Sequence, residues 1–271
     1  MRTIPIDYAQ KPLKQIDETL ASVEHNYNSR ILLAIESGSR AWGFPSPDSD
    51  YDCRFVYVRR LSDHLSPWIP RDVIETPLVG DMDVNGWDLG KALKLMLKGN
   101  AVIVEWLMSP IVYKGNSQFR SELLALANAH TDRAAIGKHY LHLGLRQRNT
   151  YFADGKDAAL KKIFYALRPA AALRWMRLHP ASQFPPMHFP TLLDQCDPPD
   201  QIVPIVTDML ARKALTNELG AGQLPEPIRR FIDAEFESAG LTFGKTSVCV
   251  SNEARSDASK LYAKWVITSP A

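Results

Sequence analysis

Apolar and polar positions follow two different rhythms along this chain. In the first half, short apolar runs alternate with turn residues. In the second half, apolar residues recur at the three- and four-residue steps of helices. Residues 31–35 form an unbroken apolar run of buried-strand length, and residues 53–58 form a second one. Upstream, Ile16, Leu20 and Val23 fall at helical spacing within residues 16–27, with acidic residues early, and residues 26–29 supply a turn. Residues 59–70 are a connector bearing Pro and Ser, and residues 74–77 and 81–89 predict two more extended segments. From Asp88 the period becomes helical. Leu89, Leu93, Met96 and Leu97 share one stripe, Lys91, Lys94 and Lys98 another, and Gly99-Asn100 stops the helix. Residues 102–108 predict a further helix that ends before Pro110.

Beyond Ser117, strand signals nearly vanish. Residues 118–130, 134–151, 158–179 and 202–219 carry helical periodicity, and residues 225–240 add a helix with Pro225 and Pro227 at its entrance. The Pro-rich loop 184–190 and the turn 197–200 separate some of these. The pattern therefore predicts an α/β half over residues 1–115 and an all-helical half over residues 116–271, meeting near Gly115-Asn116.

Composition narrows the setting. Hydrophobic residues make up 45% and charged residues 23% of the 271, ordinary for a globular protein. A net charge of +2 gives no global attraction to polyanions, so any nucleic-acid surface must be local. Cys53, Cys196 and Cys249 are too few and too scattered for a metal quartet or a disulfide framework. No apolar run reaches the roughly 18 residues of a membrane span, and the N-terminal stretch lacks a signal-peptide pattern. A soluble, cytoplasmic protein is the expectation. Nothing in the pattern assigns an oligomeric state.

Chemistry concentrates between the two apolar runs. Gly38-Ser39 breaks the first run with a flexible turn and a hydroxyl. After ten intervening residues comes Asp50-Tyr51-Asp52, at the mouth of the second. Side chains alternate along a strand, so Asp50 and Asp52 share a face. Their mutual repulsion raises one pKa unless a cation lies between them. Hard divalent ions, magnesium or manganese, suit such oxygen donors.

Gly38-Ser39, ten residues and Asp50-x-Asp52 together resemble the signature of the DNA polymerase beta-type nucleotidyltransferases. The longer strings Gly38-Ser39-Arg40-Ala41-Trp42-Gly43-Phe44 and Ser46-Pro47-Asp48-Ser49-Asp50-Tyr51-Asp52 resemble the RNA-repair-pathway, polymerase-beta-like branch. The stretch 93–110 and the phrase from Lys161 to Pro169, with His139-Tyr140, resemble it as well. The resemblance implies an α/β (α+β) fold: a polymerase-beta-type mixed sheet with flanking helices, then an all-helical C-terminal domain, with the active site in the cleft between them. It implies metal-dependent transfer of a nucleoside monophosphate from a nucleoside triphosphate, ATP first, to a hydroxyl. Asp50 and Asp52 would bind the metal, and Gly38 and Ser39 would hold the triphosphate.

A third carboxylate is expected on a neighbouring strand. Asp83 and Asp88 both fit, and Asp88 also suits a helix N-cap, which favours Asp83. Arg40 would meet a phosphate or serve as a surface ion-pair residue. Lys161, Tyr165 and Arg168, at helical steps of four and three, share one face that would either close over the nucleotide or lie in solvent. Arg146, Arg148, Lys156, Lys161 and Lys162 concentrate positive charge, for which an exposed helix face is the simpler account. A lone helical His139 is read as structural. The acceptor stays open among an RNA 3′ end, a protein hydroxyl as in AMPylating antitoxin-like enzymes, and a small molecule as in aminoglycoside nucleotidyltransferases. A non-catalytic nucleotide-binding scaffold is the rival from another class.

Overall fold

Helix α1 (Gln10–Asn26) leads into strand β1 (Ser29–Ser37) through Asn28, whose φ of 45° is one that Asn tolerates. The structure, a computed structural model, describes residues 1–68, 70–152, 158–216 and 220–268. A short helix α2 (Gly38–Trp42) follows β1, and the chain returns antiparallel as β2 (Tyr51–Arg59). After α3 (Leu61–His64) come β3 (Val73–Glu75) and β4 (Met82–Asp88), then α4 (Leu89–Leu97), α5 (Ala101–Met108) and β5 (Val112–Gly115). The sheet order is β3-β4-β2-β1-β5. Only β2 and β4 run parallel, and their register sets Asp52 opposite Asp83.

Alternation assigns each side of this sheet. Cys53, Phe55 and Tyr57 of β2 pack with Ile16, Leu20 and Val23 of α1, while Val56 and Val58 face the other way, toward α4 and α5. Asp52 and Arg54 therefore lie on the face that meets the helical half. Fully burying each large apolar side chain contributes about 1.5–3 kcal/mol, so both faces hold the sheet in register. Asp88 caps α4 by accepting from the Gly90 amide at 2.8 Å, and Asn100 caps α5 by accepting from the Val102 amide at 2.8 Å.

The helical half contains α6 (Ser117–His130), α7 (Arg133–Phe152), α8 (Ile163–Leu178), α9 (Phe189–Gln195), α10 (Ile202–Leu215), α11 (Glu226–Phe243) and α12 (Asn252–Ile267). The residue 115/116 junction falls between β5 and α6, yet one apolar cluster crosses it, from Leu33 through Leu93, Phe119 and Leu167 to Phe236 and Trp265. Among the described residues no helix is long and apolar enough to cross a membrane.

Several elements differ from the sequence pattern. The helix expected over 158–179 begins only at Ile163, because β6 (Ala158–Ala159) pairs with β7 (Ala221–Gly222) and a 3-10 turn, Leu160–Lys162, intervenes. The helix expected over 202–219 ends at Leu215, and residues 217–219 lie outside the described residues. Part of the Pro-rich loop is α9, with its Pro in the first turn where no amide partner is needed. β5 is only four residues long, and the buried face of α12 includes the small residues Ala254 and Ala258, which give weak apolar period.

Candidate active site

The turn after β1 is shaped by Gly38. Its φ is +67°, and a Cβ on it would stand 2.2 Å from Oδ2 of Asp52. The Asp52 carboxylate thus lies directly against the glycine backbone, as the shared strand pairing of Ser37 with Asp52 requires. A side chain here meets both a left-handed backbone and a carboxylate with nowhere to go. Gly38→Ala is expected to push Asp52 by about an ångström and to lower the nucleotidyl transfer that the resemblance implies by about 10²-fold, measured as single-turnover rate on folded protein.

Ser39 donates to the Ser49 hydroxyl at 3.0 Å, and that hydroxyl also accepts from the Ser46 amide at 2.8 Å. This serine cluster ties the 43–50 loop to α2. Arg40 completes the tie. It donates to the Ser49 carbonyl at 2.6 Å and the Asp50 carbonyl at 3.1 Å, with its guanidinium carbon 3.9 Å from the centre of the Tyr51 ring. Among the described residues Arg40 forms no ion pair. It pins the backbone that carries Asp50.

Asp52 and Asp83 face each other across β2 and β4. Arg54 donates to both, at 3.0 Å to Asp52 and 2.6 Å to Asp83, and again to the Asp83 carbonyl at 2.7 Å. Asn85 donates to the remaining oxygen of Asp83. Burial raises the Asp52 carboxyl above the usual carboxylate range. Arg54 opposes the rise, and the charges of Asp83 and Asp50 add to it. Asp50, exposed just before β2, belongs to the same electrostatic group.

Asp88 does not. It stands five residues beyond Asp83 on β4, which places it on the opposite side by parity, and its carboxylate is committed to the α4 cap. Its inclusion with the candidate catalytic acids is therefore corrected. Among the described residues no group of three or more His, Cys, Asp or Glu side chains is gathered into a metal-ligand cluster, and Arg54 bridges Asp52 and Asp83.

The helical half reaches this site through α8 and α10. Tyr165 packs edge-on to Trp42 with ring centres 6.0 Å apart, and its hydroxyl is pushed up by burial first and by Asp52 and Asp50 as well. Lys161 approaches Asp48 at 3.8 Å. Arg168 departs from the expected polar face. It is 3% exposed, forms a 2.9 Å ion pair with Glu105, and stacks 4.7 Å from the Trp42 ring centre. Tyr140 donates to the same Glu105 oxygen at 2.7 Å. Arg168 is thus a core ion-pair residue, not a nucleotide ligand. In the basic run, Arg148 pairs with Asp233 at 3.0 Å, while Lys156 lies outside the described residues.

Two residues that the sequence pattern did not single out belong here. Lys213 of α10 is 5% exposed and donates to the Phe44 carbonyl at 2.8 Å and to Ser46 Oγ at 3.3 Å. Burial lowers its amine to about 8, against the pull of Asp48. It docks α10 onto the loop between Gly43 and Asp50, a long-range contact with no local signature. Glu36, at the end of an apolar run, did carry a signal. It is fully buried, accepts from the Asp52 amide at 2.9 Å and from the Tyr8 hydroxyl at 3.1 Å, and also accepts from Tyr113.

Burial raises the Glu36 carboxyl from 4.5 to about 7, despite the opposing hydrogen bonds. The folded state therefore holds this proton over a range where the unfolded chain has lost it. Stability from Glu36 is full below about 4.5, falls as pH rises toward about 7, and is flat above. At about 1.36 kcal/mol per pH unit, the span from 4.5 to about 7 is about 3 kcal/mol. Glu36→Gln keeps an acceptor for the Asp52 amide and is expected to flatten that slope, measured by urea unfolding from pH 5 to 8. An unchanged slope in the variant would assign the pH dependence to other groups.

A family model described as RNA repair pathway DNA polymerase beta family matches residues 13–258. The uncharacterized protein YcgL of Bacillus subtilis (strain 168) is 37% identical over 224 residues, covering 83% of this chain and 85% of that one. A nucleotidyltransferase-like protein from Exiguobacterium sibiricum 255-15 is similar in structure over 86% of this chain and 77% of its own, with a TM-score of 0.35 and 16% identity. With a match that takes in all five strands of the sheet together with Asp50, Asp52 and Asp83, the chain belongs to the RNA repair pathway DNA polymerase beta family.

Proposed function

We propose that this polymerase-beta-type nucleotidyltransferase is metal-dependent and moves a nucleoside monophosphate, AMP first, from a nucleoside triphosphate to a hydroxyl at an RNA end. The observation that carries the reading is the pairing of Asp52 with Asp83 against Gly38, with Asp50 beside them. Three carboxylates against one guanidinium leave two negative charges, the deficit that one divalent cation balances. All the donors are hard oxygens, which fits magnesium or manganese. When bound, such a cation neutralises the charge on the triphosphate and polarises the reacting phosphate.

The chain's own groups supply the rest. Asp50 and Asp52 would hold the cation, and Asp83, once released from Arg54, would take the proton of the attacking hydroxyl. The new bond joins that oxygen to the α-phosphorus, and the bond from phosphorus to the leaving pyrophosphate oxygen breaks. Backbone at Gly38 and the Ser39 hydroxyl face the outer phosphates. Tyr165, next to the acids, stacks on the base, and Lys161 supplies positive charge nearby.

The test supplies magnesium and each labelled triphosphate, with bulk RNA in one arm and cell protein in the other. Label on RNA, lost on treatment with ribonuclease, supports the reading. Label on protein alone replaces the RNA acceptor with AMPylation. Tight nucleotide binding with no label in either arm sinks catalysis itself.

A further inference from the structure

The lysine stripe on α4 has no part in the candidate active site. Lys91, Lys94 and Lys98 line a cavity of about 880 Å³ at the opposite end of β2 and β4, between α3, α4 and α12. Asp88 is on its wall, and five residues at about 3.3 Å each separate it from Asp83 by about 16 Å. The cavity and the acid pair are therefore distinct places, and a ligand in the cavity stands apart from the transfer reaction.

The lining has a definite chemistry. Its cations are Arg59, Arg71, Lys91, Lys94, Lys98 and Arg255, against the acids Asp63, Asp72 and Asp88, a surplus of three positive charges. Two of the acids are already engaged. Asp72 accepts from Lys91 at 3.0 Å, and Asp88 accepts from the Gly90 amide. Lys94, Lys98 and Arg255 form no ion pair among the described residues. Unpaired cations gathered on a concave wall favour an anion, and phosphate above others.

Helix α12 adds one of these cations together with small and aromatic residues. Arg255, Ala258, Ser259 and Tyr262 repeat along one face of α12, and the small pair in the middle leaves room opposite Leu93 and Leu97. The Tyr262 hydroxyl hydrogen-bonds to His64 Nδ1 at 2.8 Å, which fixes both rings at the cavity edge. Nε2 of His64 is buried without a hydrogen-bond partner among the described residues. A volume of this order suits a small-molecule site, for which about 300–1,000 Å³ is typical. Exposed cations from both α4 and α12, together with the apolar and aromatic lining of Leu93, Leu97 and Tyr262, match a molecule that carries both a phosphate and a flat ring.

We infer that this cavity is a second binding site, for the 5′-phosphate and ring of a nucleotide. The nucleotide would be either free or the first residue of an RNA chain. The Lys94, Lys98 and Arg255 cations meet the phosphate, and the ring lies between Tyr262 and the leucines of α4.

Equilibrium binding in EDTA tests this, using AMP, inorganic phosphate, and a short oligoribonucleotide with and without a 5′-phosphate. AMP is expected to bind the full chain in a salt-sensitive manner. Lys94→Glu with Lys98→Glu, both exposed positions, should weaken it at least tenfold, and so should Ser259→Trp, which fills the space. Asp52→Asn should leave it unchanged. A 5′-phosphorylated oligonucleotide that binds at least tenfold tighter than AMP identifies the RNA end as the source, and equal affinity identifies the free nucleotide. The site is overturned if AMP does not bind, if inorganic phosphate binds as tightly, if the 5′-hydroxyl oligonucleotide matches the phosphorylated one, or if Asp52→Asn abolishes binding while the charge reversals do not.

Discussion

Asp52→Asn is expected to lower nucleotidyl transfer by about 10³-fold while its unfolding midpoint stays level or rises. The two halves of that result have one cause. Asp52 is held against Gly38 and opposite Asp83, and in that place its charge is disfavoured by burial and by two neighbouring carboxylates. A neutral amide of the same shape removes that repulsion and keeps an acceptor for Arg54, so the folded state loses little. On the proposed metal-dependent reading the reaction would lose a ligand for a cation whose charge stabilisation amounts to several kcal/mol, and each 1.36 kcal/mol is tenfold in rate. Asp50→Ala should lower transfer similarly with even less effect on the fold, because Asp50 is exposed. Rates come from single-turnover label transfer, and folding from thermal unfolding. A wild-type rate in either variant would remove these acids from the chemistry. A large drop in stability for Asp52→Asn would instead make Asp52 a structural residue.

What the sequence disclosed and what it hid divide along a physical line. Gly38-Ser39, Asp50 and Asp52 sit within one strand-turn-strand unit, where backbone alternation and a turn's need for glycine are local rules. Those residues come together as the spacing requires. Asp83 and Asp88 carry the same apolar-acid-apolar surroundings, and only the pairing of β2 with β4 separates them: Asp83 falls opposite Asp52, while Asp88 caps α4. That register is set by tertiary packing. Arg40 and Arg168 show the same limit from the other side. A guanidinium beside a motif suits a phosphate equally well in sequence, but here backbone carbonyls of the 49–50 loop hold one and the Glu105 carboxylate holds the other. Lys213 reaches the motif loop from α10, and no pattern within its own helix foretells that contact. Helix α12 escaped because its buried face is partly alanine.

Arg168 gives the second large effect, and its sign separates a nucleotide ligand from a keystone of the core. Its side chain bonds Glu105 of α5 at 2.9 Å, donates to the Met187 carbonyl at 3.3 Å, and lies over Trp42 of α2, while Tyr140 of α7 reaches the same carboxylate. Four helices thus meet at one buried charge pair. Removing one partner from such a pair strands the other without water, which costs about 3–5 kcal/mol. Arg168→Met is expected to lower the unfolding midpoint by about 10 °C on that basis. Adding Glu105→Gln removes the stranded charge and keeps an acceptor for Tyr140, so the double variant should recover more than half of the loss. The coupling between the two positions would then exceed about 1 kcal/mol, as contacting residues allow. If Arg168 instead gripped the nucleotide, the single variant would stay stable and KM for the triphosphate would rise. With the ion pair as its role, KM on the folded fraction stays near the wild-type value and the double variant regains activity together with stability.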